Sequence, residues 1–429
     1  MKNQLVAAKA YLNSATTNKN SHLEKELKQL IKELEYAVVN SDLSTRAWQN
    51  MKSMEIVLSK VIKVDSECSA DEAKLRAKTH DKEDQVLEER KTITFLTELA
   101  ERTMPKALHC LSLWLTVDYF SLRPAKRELP NKHRFQQKDL YHYAIFSDNV
   151  IACAVVVKST ISTSMEPEKI VFHIVTDDDH LPAITMWFLT NLSNQATVQV
   201  QRMGDFKLLR SSYISTLEQP NSGNQSFLLA VNQLPFYLPE IFPTLDKIVL
   251  LDHDVVVQRD LQGLWKLDMQ GKVIGVVDTC GGSDSSHRMD LVINFSDPNI
   301  AKRFNAKTCT WAFGMNVFNL QEWRKRDLTS TYQKWLELGK KSKLWEAARL
   351  PMGLVTFYEL TLSLDRQWHV VGLGHDPSVG HEEIEKAAVI HYDGKLKPWL
   401  AIGIEKYSGY WKKFVQYDHQ YSQQCYMQV

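Results

Sequence analysis

Asp252 and Asp254 stand one residue apart at the end of Lys247–Leu251, an apolar run with the character of a buried strand. Side chains at i and i+2 of an extended chain point to the same face, so the two carboxylates can close on one cation. Carboxylates at the carboxyl end of an apolar strand sit where open α/β sheets bind ligands. A hard divalent ion held there can grip a diphosphate, which suggests nucleotide-sugar chemistry. By itself Asp-x-Asp is a common loop pairing. A second segment, Ala387–Trp399 (AAVIHYDGKLKPW), again runs from an apolar strand into a polar turn. His391 can offer an imidazole to the same ion, and Gly394 lets backbone amides approach a phosphate. Lys397 places a point charge that can neutralise one, and Pro398 fixes the turn behind it. Taken singly, His391 reads as a satisfied histidine at a strand end and Lys397 as a solvated charge. Beside Asp252 and Asp254 the ligand reading prevails.

These groups need a scaffold. From Tyr141 onward, β-branched runs over 141–147, 169–176, 196–202, 247–252, 272–278 and 387–392 alternate with helical segments. That alternation is the sign of a mostly parallel sheet with helices on both faces. Upstream, Leu23, Leu27, Leu30, Leu34 and Val38 recur at three- and four-residue steps, and Trp48, Met51, Met54, Leu58 and Val61 repeat the pattern. Two capping boxes, Ser21 with Glu24 and Ser69 with Glu72, mark helix starts, and Pro105 marks a stop after Phe95, Leu96 and Leu99. The spacing predicts an antiparallel helical hairpin or short coiled coil, whose apolar stripes are covered either by the rest of the chain or by a partner. Pro124–Gln137, rich in Arg, Lys and Pro, reads as a linker. The chain therefore divides into a helical stem or partner region over 1–123, a linker over 124–138 and an α/β region over 139–429. Gln219–Gln225 reads as a short polar loop. The aromatic and basic segment Lys406–Tyr417 either stacks a sugar or packs under the sheet.

A chain of 429 residues exceeds one usual core. Its 52 basic and 51 acidic residues create no field that favours nucleic acid or an anionic membrane surface. A polyanionic ligand would need a local basic groove. No run of about eighteen apolar residues is present, and no signal peptide is read. The six cysteines, Cys68, Cys110, Cys153, Cys280, Cys309 and Cys425, show no Cys-x-x-Cys spacing, which argues against a zinc or redox motif. Cys153, in an apolar helical stretch, reads as a buried small hydrophobe.

The Asp-x-Asp after a hydrophobic strand, followed by His-x-x-Gly-x-x-Lys-Pro-Trp, resembles the paired signatures of glycosyltransferase family 8. Leu140–Asn149 (LYHYAIFSDN), Val171–Asp177 (VFHIVTD), Phe236–Pro243 (FYLPEIFP), Trp311–Asn316 (WAFGMN) and Trp368–Gly374 (WHVVGLG) are similar to the plant galacturonosyltransferases of pectin synthesis. The resemblance implies a GT-A type, mostly parallel sheet flanked by helices over 139–429. It implies a Golgi lumenal, type II protein whose anchor would lie upstream of Met1, and in that lumen some cysteines would pair. The implied activity is metal-dependent, retaining transfer of galacturonate from UDP-galacturonate to homogalacturonan. The alternative is a catalytically weak or inactive structural partner in a heteromeric pectin-synthesising complex.

The resemblance also implies roles. Ser147, Asp148 and Asn149 would lie against uracil and ribose, although Asp148 or Asn149 can equally cap the helix that follows. Lys158 matches a nucleotide-side lysine of bacterial relatives. Asp252, Asp254 and His391 would hold the metal, with Gly394 and Lys397 at the diphosphate. Oxygen-rich ligation with one imidazole suits Mn²⁺ better than Zn²⁺. Asp278 is placed to touch a sugar, and no clear carboxylate nucleophile is offered, so attack on the leaving-group face within an ion pair is expected. A galacturonate donor needs a positive partner for its carboxylate, and the sequence does not single one out. Departures fall at Pro235, where the family usually has an arginine that contacts the donor sugar and the metal-binding carboxylates. They fall also at a shortened loop near Ser222, and at Ala347–Gly353, which replaces Leu-Gly-Thr-Leu-Pro-Pro-Gly. His253, usually aspartate, is the milder change.

Overall fold

The structure, a computed structural model, describes residues 4–6, 8–9, 12, 21–39, 45–64, 86–87, 90–91, 93–94, 97, 105–192, 196–206, 231–280, 287–342, 344–345, 349–425 and 427. The second capping box, at Ser69 and Glu72, and the polar loop around Ser222 lie outside the described residues. The chain falls into two compact units, Met1–Glu98 and Leu99–Val429.

In the smaller unit, α1 (Ser21–Val39) and α2 (Thr45–Val64) pack on each other. Their three- and four-residue spacing turns Leu27, Ile31 and Leu34 onto Met54, Val57 and Leu58, all buried. Trp48, which the sequence places on the same stripe, is instead 57% exposed. A helical period assigns a face only to within a residue, and Ala47 takes the buried position beside it.

The larger unit includes α3 (Lys106–Ser121), for which Pro105 is the N-cap residue, and the expected stop before Pro105 falls on residues outside those described. This helix, counted with the stem in the sequence reading, is held in the larger unit by a disulfide between Cys110 and Cys425. Tyr421 also donates to Asp118 at 2.5 Å. The stretch 124–138 lies in the larger unit. It folds into two single turns of 3₁₀ helix, Pro124–Lys126 and Lys132–Arg134.

Seven strands make the main sheet: β1 (Tyr141–Phe146), β2 (Ile170–Thr176), β3 (Thr197–Arg202), β4 (Lys247–Leu251), β6 (Ile274–Val277), β7 (Met315–Asn319) and β8 (Thr361–Leu364). Their order is β3-β2-β1-β4-β7-β6-β8, parallel throughout except for β7. Strands covered on both faces read as unbroken apolar runs, and β2 is buried at every position. The helices α4 (Val150–Thr163) and α5 (Leu181–Asn191) supply part of the cover, with ten and seven buried residues respectively.

A second, small sheet holds β5 (Val255–Val257), β9 (His369–Val370) and β10 (Val389–His391) in the order β5-β10-β9. The expected strand at 387–392 therefore forms, but outside the main sheet. The chain leaves β4, crosses Asp252–Asp254 and enters β5, so the Asp-x-Asp is the link between the two sheets. Because β10 runs antiparallel to β5 with His391 opposite Val255, the imidazole arrives one residue from Asp254. At the far end of the chain, Tyr407 and Trp411 of α7 (Glu405–Lys412) are buried, so this aromatic segment packs in the core.

Candidate active site

Asp252, Asp254 and His391 each offer a ligand atom, and those atoms all lie within 4.8 Å of one another. Oxygen ligands stand roughly 2.0–2.6 Å from hard divalent ions, so atoms on opposite sides of an ion are about 4–5 Å apart. The donor set therefore has both the chemistry and the spacing for a divalent ion. Asp254 and His391 are almost fully buried, and Asp252 is partly exposed at the mouth.

Every carboxylate oxygen of the pair is engaged. Asp254 Oδ1 lies 3.0 Å from His391 Nε2, and its Oδ2 accepts from Lys397, whose ammonium also donates to the Tyr392 carbonyl at 3.1 Å. Asp252 faces a guanidinium: Arg349 Nη1 donates to Oδ1 at 3.0 Å, and Nη2 donates to Oδ2. Burial would raise both carboxyls. The Arg349 charge and hydrogen bonds nevertheless hold Asp252 below the usual carboxylate range, and Lys397 with His391 hold Asp254 well below it. Burial would lower His391, but Asp254 draws it upward on balance. Its other nitrogen meets His369 Nε2 at 3.2 Å. Burial first, and the charge of His391 second, push His369 down to about 3, so His369 stays neutral behind the site.

Backbone geometry makes room for this cluster. Gly314 has φ +119, and its carbonyl accepts from the Asp252 amide at 2.9 Å. Gly394 has φ +96, and a Cβ there would come 2.9 Å from the Gly374 carbonyl. Gly374 is itself packed on the Asp393 carbonyl, so two glycines let the turn before Lys397 lie directly on Gly372–Gly374.

Comparison with known proteins decides the family. The model for glycosyl transferase family 8 matches residues 110–403, and that for galacturonosyltransferase domain 1 matches residues 1–65. The chain belongs to glycosyltransferase family 8. Among family relatives, it is 51% identical to "Probable galacturonosyltransferase 6" of Arabidopsis thaliana over 434 residues, covering 100% of this chain and 74% of that protein. It is 48% identical to "Probable galacturonosyltransferase 5" of the same plant, covering 99% of this chain and 70% of that protein. Among solved structures, the apo form of the bifunctional glycosyltransferase WbbM aligns with a TM-score of 0.50 at 16% identity, over 68% of this chain and 51% of that one. The fold is the GT-A type of glycosyltransferases.

The other candidate residues separate into those the fold brings to the same sheet edge and those it does not. Ser147, Asp148 and Asn149 follow β1, the neighbour of β4. The Ser147 hydroxyl lies 2.6 Å from His253 Nδ1, which aims the middle residue of Asp-x-Asp towards β1 and edge-on to Trp399. Asn149 caps α4 by accepting from the Ala152 amide at 3.1 Å. Asp278 follows β6, which runs parallel to β4 two strands away, so it stands on the same edge roughly 10 Å from Asp252. Its Oδ2 accepts from Ser363 at 2.7 Å. Lys158 is not brought there. Nine residues along α4 from its cap is about 13 Å of helix, and Lys158 lines a separate cleft with Trp187 and Gln416.

Pro235 is buried in the 3₁₀ turn Leu234–Tyr237 and offers no cation. Arg349, which sequence reasoning passed over, supplies one from α6 (Arg349–Thr356). Its only sequence signal was a basic residue inside the segment that departs from the family pattern.

Proposed function

We propose that this chain transfers galacturonate from UDP-galacturonate to homogalacturonan with retention of configuration, in the Golgi lumen, as part of pectin synthesis. The observation that carries the reading is the convergence of Asp252, Asp254 and His391 within 4.8 Å, with Lys397 on Asp254. The names of its family relatives support galacturonate as the sugar.

Asp252, Asp254 and His391 would hold the ion, Mn²⁺ being suited to two carboxylates and one imidazole. When bound, such an ion supplies Lewis acidity to the departing diphosphate. Lys397 adds a fixed positive charge beside it, and Gly394 keeps the turn close enough for backbone contact with phosphate. Ser147, Asp148 and Asn149, which follow β1 beside β4, would lie against the uridine. Asp278, about two strands along the same edge, is suited to a hydroxyl of donor or acceptor. Since the sequence offers no clear carboxylate nucleophile, the acceptor hydroxyl would approach the face that UDP leaves, giving its proton to the departing phosphate oxygen. No helix among the described residues is long and apolar enough to cross a membrane.

The test is transfer of label from UDP-galacturonate to oligogalacturonides by purified protein with Mn²⁺, beside Asp252→Ala and Asp254→Ala. Transfer abolished in both variants supports the reading; transfer that survives both rejects the metal assignment. Pro235 favours a second reading, a structural partner in a heteromeric complex with the helical unit as contact surface. Tight UDP binding without transfer would select it.

A further inference from the structure

Arg349 is held more firmly than a surface arginine. Its planar fork meets Asp252 with two nitrogens on two oxygens, both side chains are about 85% covered, and the guanidinium carbon lies 4.4 Å from the centre of the Phe313 ring. Stacking on Phe313 fixes the plane of the fork, and Phe313 is itself packed on Trp311 and Phe236. A fork in a fixed plane is built to receive one kind of group, a carboxylate or phosphate in bidentate contact.

Asp252 is one of the three groups placed to hold a divalent ion, and Arg349 engages both of its oxygens. An ion drawing on Asp252 competes with Arg349 for them, and whatever loosens from Asp252 leaves a stacked, desolvated guanidinium at the mouth of the site. A buried cation without a partner is costly, so a second anion is strongly favoured there. The donor's diphosphate would sit on the ion, with Lys397 on the far side at Asp254. The sugar ring is joined to that diphosphate, so its ring substituents would lie on the Asp252 side, toward the fork.

We propose that Arg349 is the specificity-determining residue that reads the donor sugar: its guanidinium passes from Asp252 to a carboxylate on the sugar, selecting a uronate over a neutral hexose. This rests on the reading of the site as a UDP-uronate transferase. It also answers where the cation missing at Pro235 is made good, from another element and on the same carboxylate.

The experiment uses the whole chain as wild type, Arg349→Gln and Arg349→Lys. Mn²⁺ alone is titrated by electron paramagnetic resonance, and UDP, UDP-galacturonate and UDP-galactose are titrated calorimetrically with Mn²⁺ present. The expected results are tighter Mn²⁺ binding in Arg349→Gln, by about threefold or more, since the competitor for Asp252 is gone. Wild type should prefer UDP-galacturonate to UDP-galactose by about tenfold or more, and both variants should lose that preference. Lysine keeps the charge without the fork, so it decides the matter if the glutamine variant fails to fold. A preference retained in the folded variants, or Mn²⁺ affinity unchanged in Arg349→Gln, overturns the role of Arg349 while leaving the uronate donor standing. No preference in wild type overturns the uronate donor, and the role of Arg349 with it.

Discussion

Gly314 makes space for His391. A Cβ at position 314 would stand 2.3 Å from both Cε1 and Nδ1 of the imidazole, and φ there is +119, a region that L side chains rarely adopt. The carbonyl of the same residue accepts from the Asp252 amide, so one glycine sets both sides of the ion cluster. Gly314→Ala should therefore displace His391, lowering Mn²⁺ affinity by about 10–100-fold, the scale of changes that disturb a ligand's support. Titration of Mn²⁺ by paramagnetic resonance checks this, with circular dichroism confirming the fold. An affinity equal to wild type would mean that His391 is not a ligand.

Acid should weaken the larger unit through His173. Buried in β2, stacked on His142 and 2.7 Å from Gln199, it is pushed by burial and by its histidine neighbour down to about 3. An unfolded histidine titrates near 6.5, so between roughly pH 6.5 and 3 the unfolded chain binds the extra proton, and stability falls as pH falls. Above pH 6.5 both states are neutral and the effect vanishes. The slope from this one group reaches about 1.4 kcal/mol per pH unit. Urea unfolding at pH 7 and pH 5 should show His173→Gln losing less stability on acidification than wild type does. Equal losses would place the acid sensitivity elsewhere.

Much of the candidate site was legible because Asp252, Asp254 and His391 lie close in sequence to apolar strands, and a strand's period of two puts Asp252 and Asp254 on one side. His391 and Lys397 could be joined to them by side-chain chemistry and by the family resemblance but not by spacing, since 137 residues separate His391 from Asp254. The pairing of β10 with β5 is the physical link, and hydrophobic pattern does not say which strands are neighbours. The same blindness sent 387–392 to the main sheet and left β5, β7, β8 and β9 unread. Lys158 was misplaced by motif alone, since a helix that starts at the sheet edge carries later residues away from it. Arg349 lay in a stretch with no periodic signal, and only the fold sets it against Asp252. Cys153, read as a buried hydrophobe, is a free, buried thiol whose titration burial pushes up to about 12.

The disulfide between Cys110 and Cys425 closes a loop of 315 residues and ties α3 to the end of the chain beside α8 (Gln420–Gln424). Cross-links of this kind stabilise by about 2–5 kcal/mol. Cys425→Ser should lower the chemical denaturation midpoint correspondingly under non-reducing conditions. An unshifted midpoint would show that packing of α3, with the Tyr421 to Asp118 hydrogen bond, suffices by itself.

Lys397 and His391 share the two oxygens of Asp254, and the lysine would be the charge that remains beside the diphosphate. Lys397→Met should keep Mn²⁺ binding within a few fold, yet weaken UDP binding in the presence of Mn²⁺ by about tenfold or more, the size of one charge-assisted contact. Calorimetry with UDP measures it. Unchanged UDP affinity would confine Lys397 to the support of Asp254.

Asp252, Asp254 and His391 together are proposed to hold a divalent ion that carries the diphosphate. Calorimetric titration of UDP into wild type and Asp254→Asn, each with Mn²⁺ and with a chelator, tests it most directly. The expected result is UDP binding in wild type only with Mn²⁺, and a loss of about 100-fold or more in Asp254→Asn. UDP affinity in wild type that is the same with chelator as with Mn²⁺ would contradict it.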